Sequence, residues 1–167
     1  MGLFNFLKAK ESEASVTFPV SLGSAAKGTF IPMALLPDEM FSQGIMGTCC
    51  GVEPVEGKVY APIDCKISQL TDTRHAIGLE ARGMNILIHV GVDTVDMNGD
   101  GFANSVKLGQ TVKKGALLLT MDLEKIKAAN HPATVIMAVT NSDDFASVED
   151  VGSGEVQPGD DVLRINQ

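Results

Sequence analysis

The sequence contains no tryptophan and a single tyrosine among its 167 residues. Proteins that hold single-stranded nucleic acids stack the bases on aromatic side chains, so this scarcity argues against such a role. Basic residues are also few, with 13 lysines and arginines against 21 aspartates and glutamates, which gives a formal net charge of −8. Because an acidic surface repels phosphate backbones, we expect no nucleic-acid partner.

Long apolar runs are absent, and none approaches the roughly 20 residues that a membrane-spanning helix needs. The first ten residues lack the basic start, apolar stretch and cleavage site of a signal peptide, so we expect none. Instead, an amphipathic pattern places Leu3, Phe4 and Phe6 on one broad helical face. We predict that residues 1–15 form a flexible tail and linker that can contact a membrane surface, and that residues 16–167 form one domain. The expected location is cytoplasmic, or peripheral at the inner face of the membrane.

Cysteines are limited to Cys49, Cys50 and Cys65. An odd count, with two of the three adjacent, does not fit the disulfide framework of a secreted protein. Reduced, buried thiols in a cytoplasmic protein fit better. The cysteines and histidines also lack the paired two- to four-residue spacing of a structural zinc site.

Turn-forming residues are abundant, with 17 glycines and seven prolines. They interrupt short apolar or alternating runs at short intervals, which predicts an all-β fold: an antiparallel sandwich or barrel-like structure with one or two short helices. One helix is predicted at Leu123–Ala129, with Asp122 as its N-cap. The predicted strands are Val16–Val20, Gly28–Ala34, Met46–Val52, Gly57–Ala61, Lys66–Leu70, Ala76–Glu80, Ile86–His89, Ala116–Met121, Thr134–Val139 and Val162–Asn166.

Two histidines stand at the ends of predicted strands. Apolar residues surround His89, which predicts a strand buried or nearly buried on both faces that turns at Gly91. His75 immediately precedes the predicted strand Ala76–Glu80. If these strands pair as a hairpin through Ala81–Asn85, the two histidines lie side by side.

A histidine pair of this kind permits three kinds of chemistry. One neutral imidazole can accept a phosphoryl group near pH 7 while the other donates a hydrogen bond to it. The pair can instead bind a metal ion, or both rings can be hydrogen-bonded structural residues. The residues alone leave all three interpretations open.

The run from Gly83 to Val95, with an apolar triplet, His89, a glycine and then Asp-Thr, resembles the phosphorylation-site signature of the glucose-type enzyme IIA family. This family belongs to the bacterial sugar phosphotransferase system. Upstream, Thr73-x-His75 resembles the second active-site histidine of the family and its supporting threonine. Further matches extend over roughly residues 28–140, at Pro37-Asp38, Gly44–Gly47, Tyr60–Pro62, Gly99–Phe102 and Gly109–Gly115.

The resemblance implies an antiparallel β-sandwich that accepts a phosphoryl group from phospho-HPr and passes it to the enzyme IIB component of a membrane sugar permease. The phosphate would be bound covalently to His89, with no required cofactor, and His75 would bind the phosphoryl group with support from Thr73. The carbonyl of Gly91 would orient the ring of His89 so that Nε2 attacks. An accessory zinc ion on His75 and His89 is also compatible with the family. The remaining implied site residues flank the pair as acids, Asp38 and Asp93, or as apolar residues that exclude water when a partner docks, Phe41, Ile45, Met46 and Leu87.

A calcium site is one competing interpretation. The run Asp96-x-Asn98-x-Asp100-Gly101 resembles the start of an EF-hand loop. The twelfth position would be Lys107 instead of the required glutamate, and no helices are predicted to flank the loop. We therefore prefer a tight turn.

Two other protein classes share a related β-architecture. A zinc-dependent hydrolase would want a His-x-His pair, but Leu87 and Gly91 stand two residues either side of His89. A biotin or lipoyl carrier needs a lysine in a recognisable hairpin context, which Lys66 lacks. The third histidine, His131, has no match in the family pattern and is predicted to be a surface loop residue.

Overall fold

The computed structural model describes residues 17–167, in which 14 β-strands form three sheets. Every strand pair in these sheets is antiparallel. The predicted tail, residues 1–15, lies outside the described part of the chain. The strands are β1 (Val20–Gly23), β2 (Gly28–Pro32), β3 (Thr48–Pro54), β4 (Lys58–Tyr60), β5 (Cys65–Leu70), β6 (Ala76–Ala81), β7 (Met84–Val90), β8 (Phe102–Asn104), β9 (Thr111–Val112), β10 (Leu117–Met121), β11 (Val135–Val139), β12 (Ser147–Asp150), β13 (Glu155–Val156) and β14 (Asp161–Asn166).

The largest sheet has eight strands in the order β13-β2-β3-β11-β7-β6-β5-β9. Two three-stranded sheets, β1-β14-β12 and β4-β10-β8, contribute their buried side chains to the same core. The predicted all-β antiparallel sandwich is therefore confirmed. Of the two site histidines, His89 lies on β7 of the large sheet, and His75 immediately precedes the neighbouring strand β6.

Alternating side chains give the large sheet an inner and an outer face, because successive residues of a strand point in opposite directions. On β7, Ile86 and Ile88 point into the main core, while Leu87 and His89 point outward. A smaller apolar cluster covers the outer face and contains Leu36, Phe41, Cys49, Val92, Ile136 and Ala138.

Two short α-helices occur in the described residues, α1 (Glu39–Ser42) and α2 (Leu123–Ala128). The helix predicted over Leu123–Ala129 is present, and the Asp122 carboxylate caps it by accepting hydrogen bonds from the amides of Glu124 and Lys125. Single turns of 3₁₀ helix form at Met33–Leu35, Thr94–Met97 and Ser142–Asp144.

Several predicted strand boundaries were wrong. The strand predicted over Val16–Val20 begins only at Val20 and runs to Gly23, because it pairs with the C-terminal strand β14. The segment Gly28–Ala34 leaves the sheet after Pro32 and forms a 3₁₀ turn. Strand β7 is not buried on both faces, since Asn85 is exposed and His89 half-buried on its outer side.

Candidate functional site

A tight hairpin brings the two histidines together. Strands β6 and β7 pair as predicted, in the register Ala76↔His89 through Ala81↔Met84. The predicted loop Ala81–Asn85 was too long, because the turn contains only Arg82 and Gly83. Both turn residues have positive φ, at 50° and 81°, which fits the twist of a two-residue hairpin. At the other end of the hairpin, the ring centroids of His75 and His89 lie 4.9 Å apart with an interplanar angle of 82°.

The ring of His89 is oriented by a backbone carbonyl. Its Nδ1 lies 2.8 Å from the carbonyl oxygen of Gly91. Because this oxygen can only accept a hydrogen bond, Nδ1 carries the proton, and the lone pair of the neutral ring is on Nε2. Gly91 has a φ of 77°, and a Cβ there would lie 2.4 Å from Cγ2 of Thr94. Only glycine fits this position without strain.

The ring of His75 is held by a side chain. The hydroxyl oxygen of Thr73 lies 2.6 Å from Nδ1 of His75. When this hydroxyl donates to Nδ1, the proton of the His75 ring is on Nε2, where it can be donated to a neighbouring group. His75 is only 8% exposed, so its ring has little freedom to reorient.

Both histidines favour the neutral form. Burial lowers the pKa of His89 below its usual value, although the hydrogen bond to Gly91 and the charges of Asp38 and Asp93 oppose this shift. Burial, with a smaller contribution from His89, also lowers the pKa of His75. At neutral pH the Nε2 lone pair of His89 is therefore available to attack an electrophile.

Helix α1 covers one side of His89. The rings of Phe41 and His89 have centroids 5.3 Å apart and an interplanar angle of 52°. Phe41 is only 4% exposed, because it packs in the small outer cluster beneath α1. Its predicted place as a contact residue of a docking face therefore needs correction: Phe41 supports the ring of His89 from below and offers little surface to another protein.

Exposed apolar side chains border the histidine pair. Four of the six large apolar residues that are exposed in residues 17–167 belong to the segments around it: Leu35, Met40, Ile45 and Val95. Isolated exposed apolar residues are ordinary, but several on neighbouring segments typically mark an interaction surface. Of the predicted apolar residues, Ile45 is thus 60% exposed, while Met46 and Leu87 are half-buried against the outer cluster.

Acidic groups and backbone amides have distinct places at the site. Asp38 caps α1, with its carboxylate accepting a 2.8 Å hydrogen bond from the amide of Met40. Asp93 is exposed, and its charge acts on His89 together with that of Asp38. The backbone amides of Gly91 and Val92 donate to the carbonyls of Thr134 and Pro132, so neither amide is free to bind a phosphoryl group.

Metal-binding interpretations find little support among the described residues. In residues 17–167, no group of three or more His, Cys, Asp and Glu side chains is placed to hold a metal ion. The carboxylates of the calcium-like loop already have partners: Asp96 accepts a hydrogen bond from Nε2 of His131 at 2.7 Å, and Asp100 forms an ion pair with Lys125 at 2.8 Å. His131 lies in a loop, as predicted, but its side chain is only 15% exposed and so is less accessible than that of a typical surface residue.

In the described part of the chain, no helix is long and apolar enough to cross a membrane.

Comparison with known proteins gives a consistent result. The family described as "phosphoenolpyruvate-dependent sugar phosphotransferase system, EIIA 1" matches residues 20–145. The glucose-specific EIIA component of Bacillus cereus is 35% identical over 161 residues, covering 95% of this chain and 94% of that protein. The solved glucose permease IIA from Mycoplasma capricolum superposes with a TM-score of 0.79 at 30% identity, covering 89% of this chain and 96% of that one.

Some relatives carry the same domain within a longer chain. The beta-glucoside-specific EIIBCA component of Dickeya chrysanthemi is 38% identical over 151 residues, which is 90% of this chain but 24% of that protein. This chain therefore spans about a quarter of the length of such fused relatives. These relatives do not support the zinc-dependent hydrolase or the biotin- or lipoyl-type carrier weighed above.

Proposed function

The chain belongs to the EIIA 1 family of the phosphoenolpyruvate-dependent sugar phosphotransferase system, and on that premise we propose that it is a phosphocarrier. It accepts a phosphoryl group from phospho-HPr on Nε2 of His89 and passes it to an enzyme IIB component. The observation that carries this proposal is the contact between the two imidazole rings. Because Nδ1 of His89 donates a hydrogen bond to the Gly91 carbonyl, Nε2 of the neutral ring is left unprotonated.

The transfer exchanges one P–N bond for another. The Nε2 lone pair of His89 attacks the phosphorus atom while the bond to the donor histidine breaks, and the donor ring keeps that electron pair. The proton on Nδ1 of His89 stays in its hydrogen bond to the Gly91 carbonyl throughout. Because no proton must leave the ring before attack, little reorganisation is needed at the moment of transfer.

His75 stabilises the transferring group. Charge spreads over the equatorial oxygens of a phosphoryl group during transfer, so a nearby N–H donor lowers the barrier. With the Thr73 hydroxyl bonded to Nδ1, the Nε2–H of His75 is available for this purpose. The edge-to-face arrangement, with centroids 4.9 Å apart, puts the two rings within reach of one phosphoryl group.

The surroundings fit a protein partner better than a small substrate. Ile45 and Val95 are 60% and 52% exposed and can close around the site when another protein docks, which would exclude water from the labile phosphohistidine. The carboxylates of Asp38 and Asp93 favour a partner with basic residues at the matching positions. Half-buried Met46 and Leu87 complete the apolar floor.

The fused relatives support the identity of the acceptor. Their names combine EIIA with EIIB and EIIC in one chain, so we expect a IIB domain to be the acceptor. Those names specify different sugars, which suits a subunit that carries only the phosphoryl group. We place the protein in the cytoplasm, consistent with three unpaired buried cysteines. Contact of residues 1–15 with the inner membrane face stays a prediction.

Zinc has at most an accessory place in this proposal. His75 and His89 offer two nitrogen ligands, whereas a zinc site usually has three or four protein ligands. The other ligands would come from a docked partner. No step of the transfer depends on a metal.

Substitution of each histidine by glutamine tests the proposal. With phosphoenolpyruvate, enzyme I and HPr supplied, intact mass should show one added phosphate on the native chain and none on His89→Gln. His75→Gln should still accept phosphate but pass it to IIB slowly, because the nucleophile is intact and the stabilising donor is lost. Label on His89→Gln would refute the assignment.

A further inference from the structure

The segment that follows His89 runs back past both histidines before it rejoins the sheets. It comprises residues 91–102, and we call it the brace. At its start, the Gly91 carbonyl accepts the hydrogen bond that orients His89. Thr94, fully buried, donates its hydroxyl hydrogen to the carbonyl of Val90 and so anchors the first turn of the brace.

The far end of the brace contacts the turn that carries His75. Gly99 lies against the backbone carbonyl of Thr73, where a Cβ would be 3.6 Å from that oxygen. The guanidinium of Arg74 donates to the carbonyl of Phe102 at 3.4 Å. One continuous segment therefore contacts the residues that orient both imidazole rings.

A hydrogen bond from the mostly buried side chain of His131 to the exposed carboxylate of Asp96 connects the middle of the brace to the segment after α2. Nε2 of His131 donates to the carboxylate of Asp96, in the 3₁₀ turn Thr94–Met97, at 2.7 Å. The next residue, Pro132, accepts a hydrogen bond from the amide of Val92 at 3.0 Å. The side-chain bond and the backbone bond thus hold the same short stretch from one side.

The end of α2 fixes the position of His131. Asn130 adopts the left-handed conformation that ends many helices, with a φ of 63°, and the amide of His131 bonds to the carbonyl of Ile126. Because its side chain is only 15% exposed, His131 is far less mobile than a typical surface histidine. The brace also forms an ion pair, Asp100 with Lys125, in which both side chains are at least half exposed, so it should constrain the brace weakly.

We propose that His131 is a positioning residue for phosphoryl transfer: through Asp96 it holds the brace, and the brace holds the Gly91 carbonyl that orients the ring of His89. The role rests on the proposed phosphocarrier function, but the geometry of the brace can be measured without it. Nothing in the family signature around the two active-site histidines includes this residue.

The test compares His131→Ala and His131→Gln with the control Lys125→Ala in the full-length protein. Transfer from phospho-HPr is measured at increasing donor concentration, and the ring nitrogens of His89 are followed by ¹⁵N NMR. His131→Ala should lower the maximal rate by about fivefold, the typical net cost of one lost hydrogen bond, and leave the KM for phospho-HPr unchanged. It should also shift Nδ1 of His89. His131→Gln keeps an N–H donor and should recover most of the rate, and Lys125→Ala should match the native protein.

A folded His131→Ala variant with the native rate and native His89 nitrogen shifts would overturn the proposal. So would equal losses in His131→Ala and His131→Gln, because a donor at this position would then be irrelevant. If His131→Ala does not fold, Asp96→Ala takes its place, because it removes the acceptor of the same hydrogen bond, and it should show the same loss of rate and shift of Nδ1. Failure of the phosphocarrier function itself would appear differently, as absence of label on the native chain, while the NMR comparison would still decide the role of His131.

Discussion

Substitution of Gly91 by alanine removes the orientation of the nucleophile without touching either histidine. The residue has a φ of 77°, and the added Cβ would lie 2.4 Å from Thr94 Cγ2 and 2.9 Å from the carbonyl oxygen of Pro132. Neither neighbour can move easily, because Thr94 is fully buried and bonded to Val90, and the Pro132 carbonyl accepts the amide of Val92. The carbonyl of residue 91 must therefore shift away from Nδ1 of His89.

Gly83 provides a matched control for this substitution. It has almost the same φ, 81°, but nothing lies within 4 Å of its added Cβ. Gly83→Ala should therefore cost only the left-handed backbone strain, about 1–2 kcal/mol. Gly91→Ala should cost that strain plus about 1–3 kcal/mol for overpacking, or about 2–5 kcal/mol in all.

Thermal unfolding and single-turnover phosphoryl transfer measure the two consequences. For a chain of this length, each kcal/mol should lower Tm by about 2–4 °C, so Gly91→Ala should melt clearly below Gly83→Ala. Its transfer rate should also fall while that of Gly83→Ala stays native, since the hairpin turn lies at the opposite end from the histidines. Equal melting temperatures and equal transfer rates for the two variants would refute this reasoning.

Three further predictions follow from burial and exposure. Burial lowers the pKa of His75 and His89, so below the usual histidine value of 6.5 the unfolded chain binds protons that the folded chain does not. The free energy of unfolding, measured by urea titration, should therefore fall as the pH drops through this range, and less so when both histidines are replaced by glutamine. Burial raises the pKa of the Cys49 thiol to about 12, and the other two thiols are buried as well. An aromatic disulfide reagent at pH 8 should therefore label none of the three cysteines until the protein unfolds. Ile45→Ser should raise the KM for phospho-HPr several-fold with little change in Tm, because the side chain is 60% exposed; an unchanged KM would remove Ile45 from the docking surface.

The hairpin that carries the site could be predicted from the sequence because its determinants are local. Short apolar strands on either side of the Arg82-Gly83 turn signal predict the pairing of β6 with β7, which brings His75 close to His89. The predicted loop Ala81–Asn85 was longer than the observed two-residue turn, so the exact register was not predicted. Asp122 likewise marks the start of α2 through its own side chain. In each case the interacting residues are close in the chain.

Elements that depend on distant partners were missed or misplaced. Strand β1 was predicted too early because its boundaries are set by pairing with β14, at the other end of the described chain. The two-residue strands β9 and β13 are too short to leave a pattern, and they exist only because β5 and β2 pair with them. Long-range pairing of this kind leaves no local signature in the sequence.

The sequence by itself determined that the chain forms many short strands, that β6 and β7 form a hairpin, and that this hairpin carries the two histidines. These features follow from side-chain alternation, turn chemistry and spacing along the chain. Only the tertiary structure decided that Phe41 lies buried beneath His89 instead of on the surface, and that His131 reaches Asp96 across 35 positions of chain. Contacts of this kind arise when separate segments pack on one face of a sheet. Burial and partnership are properties of that packing, and residue type alone does not specify them.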